Sequence, residues 1–269
     1  MLQSETQDTS ADVQKKIAGF LARVSRASKR ALLLDYDGTL APFTPDRDHA
    51  VPYPEIPALL ERIRTATATR LVIVTGRRAF EVASLLNMKN IEIWGCHGLS
   101  RWRSDGTFEL PQFDQQALNQ LSEANELLRQ ANLSDLLELK PGATAIHWRG
   151  QEPRATQVQR AVEDIWSRLR GRKHLELLKF DGGLEIRAVY RDKGDAVRTI
   201  LSELGQGATV AYLGDDYTDE DAFAALQGFG LGILVRQRHR PTIADLWLRP
   251  PDGVIGFLAD WIRACGVSS

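Results

Sequence analysis

Cysteine is scarce in this chain: two occur among 269 residues, Cys96 and Cys265. Two thiols make no disulfide framework, so the sequence reads as one suited to a reducing, cytoplasmic compartment. Also lacking is any run of about 20 apolar residues, the length a membrane helix needs, so no membrane association is expected. Neither sign of charge dominates, with 34 Lys and Arg against 35 Asp and Glu and a formal net charge of −1. That balance argues against nucleic-acid binding through a broad basic face and against a charged disordered tail. The start, MLQSETQDTSADVQKK, is polar and acidic before it is basic, and does not read as a signal peptide.

What is present is globular in composition, 43% hydrophobic and 26% charged. A chain of this length buries roughly 70–75% of its surface, enough for a large core in one or two domains. Five short runs rich in Leu, Val and Ile predict buried parallel strands: Ala31–Leu34, Leu71–Val74, Ile91–Trp94, Val210–Leu213 and Gly232–Val235. Helical patterns at Ile56–Ala66, Phe80–Leu86 and Lys193–Leu204 alternate with them, which predicts an α/β fold with an open parallel sheet. The middle of the chain breaks that rhythm. A helix is expected over 114–131, with Leu118, Leu121, Leu128 and Ala131 on one face. A hairpin then joins Leu136–Lys140 to Ala143–Arg149 through Pro141-Gly142. Another helix over Ala155–Leu169 and a hairpin, Leu175–Phe180 with Leu184–Val189, turning at Asp181-Gly182-Gly183, complete an αββαββ order. Residues 110–188 therefore read as an α+β insertion in a core made of 28–109 and 189–269. Residues 1–27 form an N-terminal segment, either a short helix or an interaction arm.

Polar residues gather where strands end, which is where open α/β sheets bind ligands. Asp35-Tyr36-Asp37-Gly38-Thr39 follows the first strand, and two aspartates there are costly unless something stabilises them; an Asp-Gly turn accounts for the same residues. Thr75-Gly76-Arg77 follows the second, placing a hydroxyl either to hold a phosphate oxygen or to cap a helix. Lys193 opens a predicted helix against the macrodipole; Asp192 or Asp195 offsets it, or it points at an anionic ligand or at Asp35. In Gly214-Asp215-Asp216-Tyr217-Thr218-Asp219-Glu220-Asp221 five of eight residues are acidic, a clustering that a divalent cation would relieve or that solvent would bathe. Taken together they compose a phosphoryl-transfer site: Asp35 as nucleophile, Thr75 and Lys193 on phosphate oxygens, Asp215 on Mg²⁺.

In order and spacing these four motifs resemble those of the haloacid dehalogenase superfamily, whose Rossmann-like core carries an inserted class IIB cap. Within it the chain is similar to the trehalose-6-phosphate phosphatases at Gly95-Cys96-His97-Gly98, Glu138-Leu139-Lys140, His147-Trp148-Arg149, Glu185-Ile186-Arg187 and the acidic stretch from Gly214. The resemblance implies that Asp35 attacks phosphorus, and that Asp37 protonates the leaving sugar oxygen and then activates water. It implies Mg²⁺ held by Asp35, the Asp37 backbone carbonyl and Asp215, with Asp216 and Asp219 acting around the metal or holding Lys193. A small sugar phosphate would be bound by Asp35, Tyr36, Asp37, Gly76, Arg77, His97, Glu138, Lys140, His147, Arg149, Glu185 and Arg187, in a monomer. Thr75 stands where the family often has Ser, and Ser100 where it commonly has an acidic residue.

The cap residues also read without the resemblance. Alternation puts Glu138 with Lys140, His147 with Arg149, and Glu185 with Arg187 on shared strand faces, either a wet sheet face or a sugar-binding one. Rival functions are phosphatases of sucrose 6-phosphate or mannosylglycerate phosphate, a phosphomannomutase, and a phospho-acceptor switch. A dinucleotide site fails at Gly228-Phe229-Gly230-Leu231-Gly232, because Ile233 takes the place of the last glycine.

Overall fold

A computed structural model describes residues 10–44, 46–169, 174–189 and 191–267. The polar start of the chain therefore falls largely outside the described residues. Strands β1 (Arg30–Leu34), β2 (Thr69–Val74), β10 (Thr209–Gly214) and β11 (Gly230–Val235) contain four of the five expected runs, and β3 (Glu92–Gly95) overlaps the fifth, starting one residue after Ile91. They pair in parallel in the order β11-β10-β1-β2-β3. Period-two alternation feeds two cores: Leu32 and Leu34 point into one hydrophobic cluster, Ala31 and Leu33 into the other. The first cluster is closed by α1 (Ser10–Arg26), α2 (Ile56–Ala66), α3 (Ala79–Leu86) and α8 (Asp252–Ala264). The second lies under α6 (Lys193–Leu204) and α7 (Glu220–Leu226).

Three short strands escape the sequence pattern. β12 (Leu246–Leu248) extends one edge in parallel, while β4 (Ser100–Trp102) and β5 (Phe108–Glu109) add antiparallel strands at the other. Two or three residues are too few to display a period. Ser100 is buried opposite Gly95 at the start of β4. At the N-terminus α1 is a helix docked on the core: Ile17, Phe20 and Val24 are buried, and Phe20 packs 6.1 Å from Trp261 between ring centroids.

The central segment forms a separate antiparallel sheet. Its elements are α4 (Gln115–Gln130), β6 (Leu137–Lys140), β7 (Ala143–His147), α5 (Glu152–Arg168), β8 (Leu175–Phe180) and β9 (Gly183–Ala188), with strand order β6-β7-β9-β8. Ala124, Leu128, Ile146, Val162 and Ile186 sit in a hydrophobic cluster of their own between this sheet and its helices. The buried stripe of α4 is Ala117, Leu121, Ala124 and Leu128; Leu118 is only half-buried and Ala131 is exposed. β7 stops at His147, two residues before the expected end: the Trp148 amide still donates to Gly182 O (2.9 Å), and Gly150 then turns the chain at φ +81°.

Candidate active site

Asp35 and Asp215 leave the carboxyl ends of adjacent strands β1 and β10 and are buried, 4% and 2% exposed. The Asp35 amide donates to Leu213 O (2.8 Å), carrying the ladder one residue past the strand. Only glycine fits at position 38. Its φ is +78°, and a Cβ there would lie 2.5 Å from the Asp215 carboxyl carbon.

Lys193 Nζ donates to Asp35 Oδ1 (2.9 Å) and Asp219 Oδ1 (2.7 Å). Asp192 and Asp195 put their carboxylates at the positive end of the helix, as the sequence allowed, but take no hydrogen bond from the ammonium. They form a capping box, with the Asp195 amide donating to Asp192 Oδ1 at 2.7 Å and the Asp192 amide to Asp195 Oδ2 at 3.1 Å. Burial works against the Lys193 ammonium, but Asp219 and Asp35 outweigh it and hold its pKa above the usual lysine value. Asp219 has both oxygens engaged. Oδ1 also accepts from the Tyr212 hydroxyl (2.6 Å), and Oδ2 accepts the amides of Asp215 (2.9 Å) and Asp216 (2.8 Å). It therefore holds Lys193 and the acidic loop in place.

Positive charge from Lys193 does not balance the centre. Burial pushes the Asp35 carboxyl up to about 7 against the pull of Lys193, with Asp219 adding to the rise. Burial, then Asp35, Asp216 and Asp219, push Asp215 well above the usual carboxylate range. Asp215 Oδ2 is buried without a hydrogen-bond partner. Carboxylate oxygens of Asp35, Asp215 and Asp219 lie within 4.8 Å of one another. An all-oxygen donor set with a carboxylate oxygen left without a hydrogen bond fits a hard divalent cation.

Thr75 does not cap a helix, because α3 begins at Ala79; its hydroxyl instead accepts the Arg77 amide (3.1 Å). Arg77 in turn donates to both oxygens of Asp37 and lies 5.7 Å from the Tyr36 ring centroid. Cys96 and His97 both adopt positive φ, 51° and 57°, a strained pair that turns the His97 ring over Gly76. Burial lowers the His97 pKa, and its Nδ1 has no hydrogen-bond partner.

The polar face of the second sheet closes over these strand ends and is not a wet face. Glu138 and Lys140 pair across the ladder with Ala145 and Ala143. Those small residues leave room for Lys140 Nζ to reach Glu185 Oε2 on β9 (2.8 Å), with side-chain exposures of 4% and 2%. Burial opposes both charges. Even so, Glu185 keeps Lys140 raised, and Lys140, then His97, hold Glu185 well below the usual range. His147 Nε2 lies 2.9 Å from Glu138 Oε2.

The cavity between the sheets is lined by Asp35, Asp37, Gly76, Arg77, His97, Lys140, His147, Arg149, Lys193, Asp215 and Asp216 of the expected residues. Glu138 and Glu185 stand behind Lys140 and His147. Tyr36 is fully buried, its hydroxyl donating to Ala50 O (2.7 Å). Arg187 is not brought to the cavity, because Glu176 on the neighbouring strand takes its guanidinium. Arg149 reaches the cavity from the turn after β7, stacked 4.0 Å over the Phe43 ring. Sequence reasoning missed Phe43, Thr44, Phe180, Asp181 and Thr218, which also line it. It missed two arginines as well: Arg236 donates to Asp215 O (3.2 Å) and Arg240 to Asp216 O (2.7 Å). Arg236 directly follows β11, so the strand-end rule that found the aspartates would have found it too.

The trehalose-phosphatase family profile matches residues 33–249, from two residues before Asp35 to beyond Arg240. The chain belongs to the trehalose-phosphatase family. It is similar to "Probable trehalose-phosphate phosphatase 9" of Oryza sativa subsp. japonica, 31% identical over 273 residues, 88% of this chain and 71% of that one. Likewise "Trehalose 6-phosphate phosphatase RA3" of Zea mays is 30% identical over 261 residues, again 88% and 71%. Among solved structures, the C-terminal domain of C. albicans trehalose-6-phosphate phosphatase aligns with TM-score 0.79 at 20% identity, covering 94% of this chain and 97% of that one. A haloacid dehalogenase-like hydrolase from B. subtilis aligns at TM-score 0.57 and 16% identity, covering 85% and 98%. At those identities the structural likeness speaks for the fold. Every strand-end residue named above falls inside the trehalose-phosphatase match.

Proposed function

We propose that this family member hydrolyses trehalose 6-phosphate to trehalose and phosphate through an aspartyl-phosphate on Asp35. The observation that carries the reading is the meeting of Asp35, Asp215 and Lys193 at adjacent strand ends beneath a buried, charged sheet face. Asp35 attacks phosphorus, the bond from phosphorus to the sugar oxygen breaks, and Asp37 gives that oxygen its proton. Asp37 then takes a proton from the water that attacks the aspartyl-phosphate, releasing phosphate and restoring the Asp35 carboxylate. Thr75, Gly76 and Lys193 hold phosphate oxygens. Arg77 transfers its grip from Asp37 to the incoming phosphate, which frees Asp37 to act.

Asp35, the Asp37 carbonyl and Asp215 would hold Mg²⁺, with Asp216 nearby. Bound there, Mg²⁺ neutralises charge on the transferring phosphoryl group. Glu138, Lys140, His147, Arg149 and Glu185 suit a neutral, hydroxyl-rich sugar, since each hydroxyl both donates and accepts. Residues 110–188 act as a cap on a core of 28–109 and 189–269, in a monomer working in the reducing cytoplasm. No described helix is long and apolar enough to cross a membrane.

Phosphate release from trehalose 6-phosphate, sucrose 6-phosphate and mannosylglycerate phosphate, with and without Mg²⁺, tests the proposal. Equal rates on all three would leave a general sugar phosphatase. Undiminished activity without Mg²⁺, or in Asp35→Asn, would overturn the mechanism.

A further inference from the structure

One residue at the tip of the second sheet makes three separate contacts around the cavity. Asp181 lies in the turn between β8 and β9 and lines the cavity beside Asp35, Asp215 and Asp216. Its amide donates to Asp216 Oδ2 (2.8 Å), on the acidic loop of the large sheet. Its carboxylate Oδ2 accepts from Arg236 Nη2 (2.7 Å), at the end of β11. Its carbonyl accepts from Arg149, whose guanidinium stacks on Phe43 of the large-sheet body. An aspartate in a turn ordinarily bonds its own backbone. This one reaches 55 residues away instead.

Arg236 is also shared. While Nη2 holds Asp181, Nη1 reaches the Asp215 carbonyl (3.2 Å) and lies 3.5 Å from Asp215 Oδ2. One guanidinium thus touches both the tip of the second sheet and a carboxylate of the acidic centre. The pair is neither open to bulk solvent nor sealed: Asp181 is 39% and Arg236 27% exposed in their side chains. A charge pair at a cavity rim can break and re-form without leaving a buried ion unpaired.

We propose that Asp181 and Arg236 form a latch that holds the cap shut over the acidic centre. The two are positioning residues, and the latch rests on the reading of residues 110–188 as a cap that moves. Opening breaks the Asp181–Arg236 and Asp181–Asp216 contacts together, and closure remakes them once the sugar phosphate is inside. A latch of this kind sets how tightly the substrate is held and leaves the chemical step untouched.

The full chain is compared as wild type, Asp181→Asn, Arg236→Gln, Arg236→Lys and the Asp181→Asn/Arg236→Gln double variant. X-ray scattering without substrate is expected to give a larger radius of gyration for both neutral single variants. In steady-state assays on trehalose 6-phosphate, KM rises about fivefold with kcat retained in Asp181→Asn, the worth of a partly exposed ion pair. Arg236→Lys restores part of the loss, and the double variant is no worse than Arg236→Gln alone. Calorimetry is expected to find Mg²⁺ affinity unchanged in Asp181→Asn, which separates the latch from loss of the metal. Unchanged scattering and KM in both single variants, or effects that simply multiply in the double, would overturn the latch. A wild type inactive on trehalose 6-phosphate would overturn the proposed substrate instead, and scattering would then decide the latch by itself.

Discussion

Arg77 donates Nε to Oδ2 and Nη2 to Oδ1 of Asp37, both at 2.7 Å, a bidentate clamp on the proposed acid and base. The clamp occupies both carboxylate oxygens, so a phosphate that draws Arg77 away frees them for the leaving oxygen and then for water.

Asp37→Asn removes the proton carrier and is expected to lower kcat by about 10²- to 10⁴-fold. Arg77→Met is expected to raise KM, since the phosphate loses a bidentate partner. Steady-state phosphate release checks both. Full kcat in Asp37→Asn would exclude it as the acid.

Lys193 is the sole positive group hydrogen-bonded to Asp35 and Asp219 among the described contacts. Lys193→Met leaves two buried carboxylates facing each other and is expected to cost about 3–5 kcal/mol of stability in chelator. Urea unfolding reads this directly. Adding Asp219→Asn should recover part of the loss, because one of the unpaired charges is gone.

Without a cation the Asp215 carboxylate is a burden: its Oδ2 has no hydrogen bond, Arg236 Nη1 stands 3.5 Å off, and other carboxylates lie beside it. Asp215→Asn in chelator is therefore expected to melt no lower than the wild type. Mg²⁺ at about 100 times its Kd should stabilise the wild type by about 2.7 kcal/mol and leave Asp215→Asn unmoved. Thermal unfolding with and without the ion decides it. An equal Mg²⁺ response in the two proteins would remove Asp215 from the metal site.

His97 and Glu185 face each other, His97 Nε2 lying 3.6 Å from Glu185 Oε1, and both have lowered pKa values. Burial keeps His97 neutral in the fold, so below its unfolded value near 6.5 the unfolded chain binds a proton the fold refuses. Its share of stability is present above pH 6.5 and falls on acidification from there. Glu185 contributes above its unfolded value near 4.5, and that share is lost as pH drops further. Thermal melts of wild type and His97→Gln across pH 4 to 8 should therefore diverge below about pH 6.5, the wild type losing more. Parallel curves would contradict the assignment.

The expected parallel strands were legible because both faces of this sheet are covered, which makes each strand a short unbroken apolar run. Polar residues directly after such runs, Asp35, Thr75 and Asp215, had to emerge at the sheet's carboxyl edge. The polar face of the second sheet was legible by alternation up to His147. Beyond it Arg149 left the strand, because a turn at Gly150 intervened. β4, β5 and β12 were not legible, since their pairing is decided by neighbours far along the chain and not by local pattern.

The sequence by itself determined which chemistry is available: carboxylates, a hydroxyl and a lysine at strand ends, and a face of mixed charge on a second sheet. Periodicity and turn residues act over a few positions, and that range suffices to place them. Only the tertiary structure decided who pairs with whom. Lys193 passed over Asp192 and Asp195 for Asp35, since those two were taken up by their own helix start. Arg187 went to Glu176 and away from the cavity. Asp181 met Arg236 because the second sheet lies across the ends of the first. Partner choice among like charges depends on distances set by packing, and no local spacing encodes those.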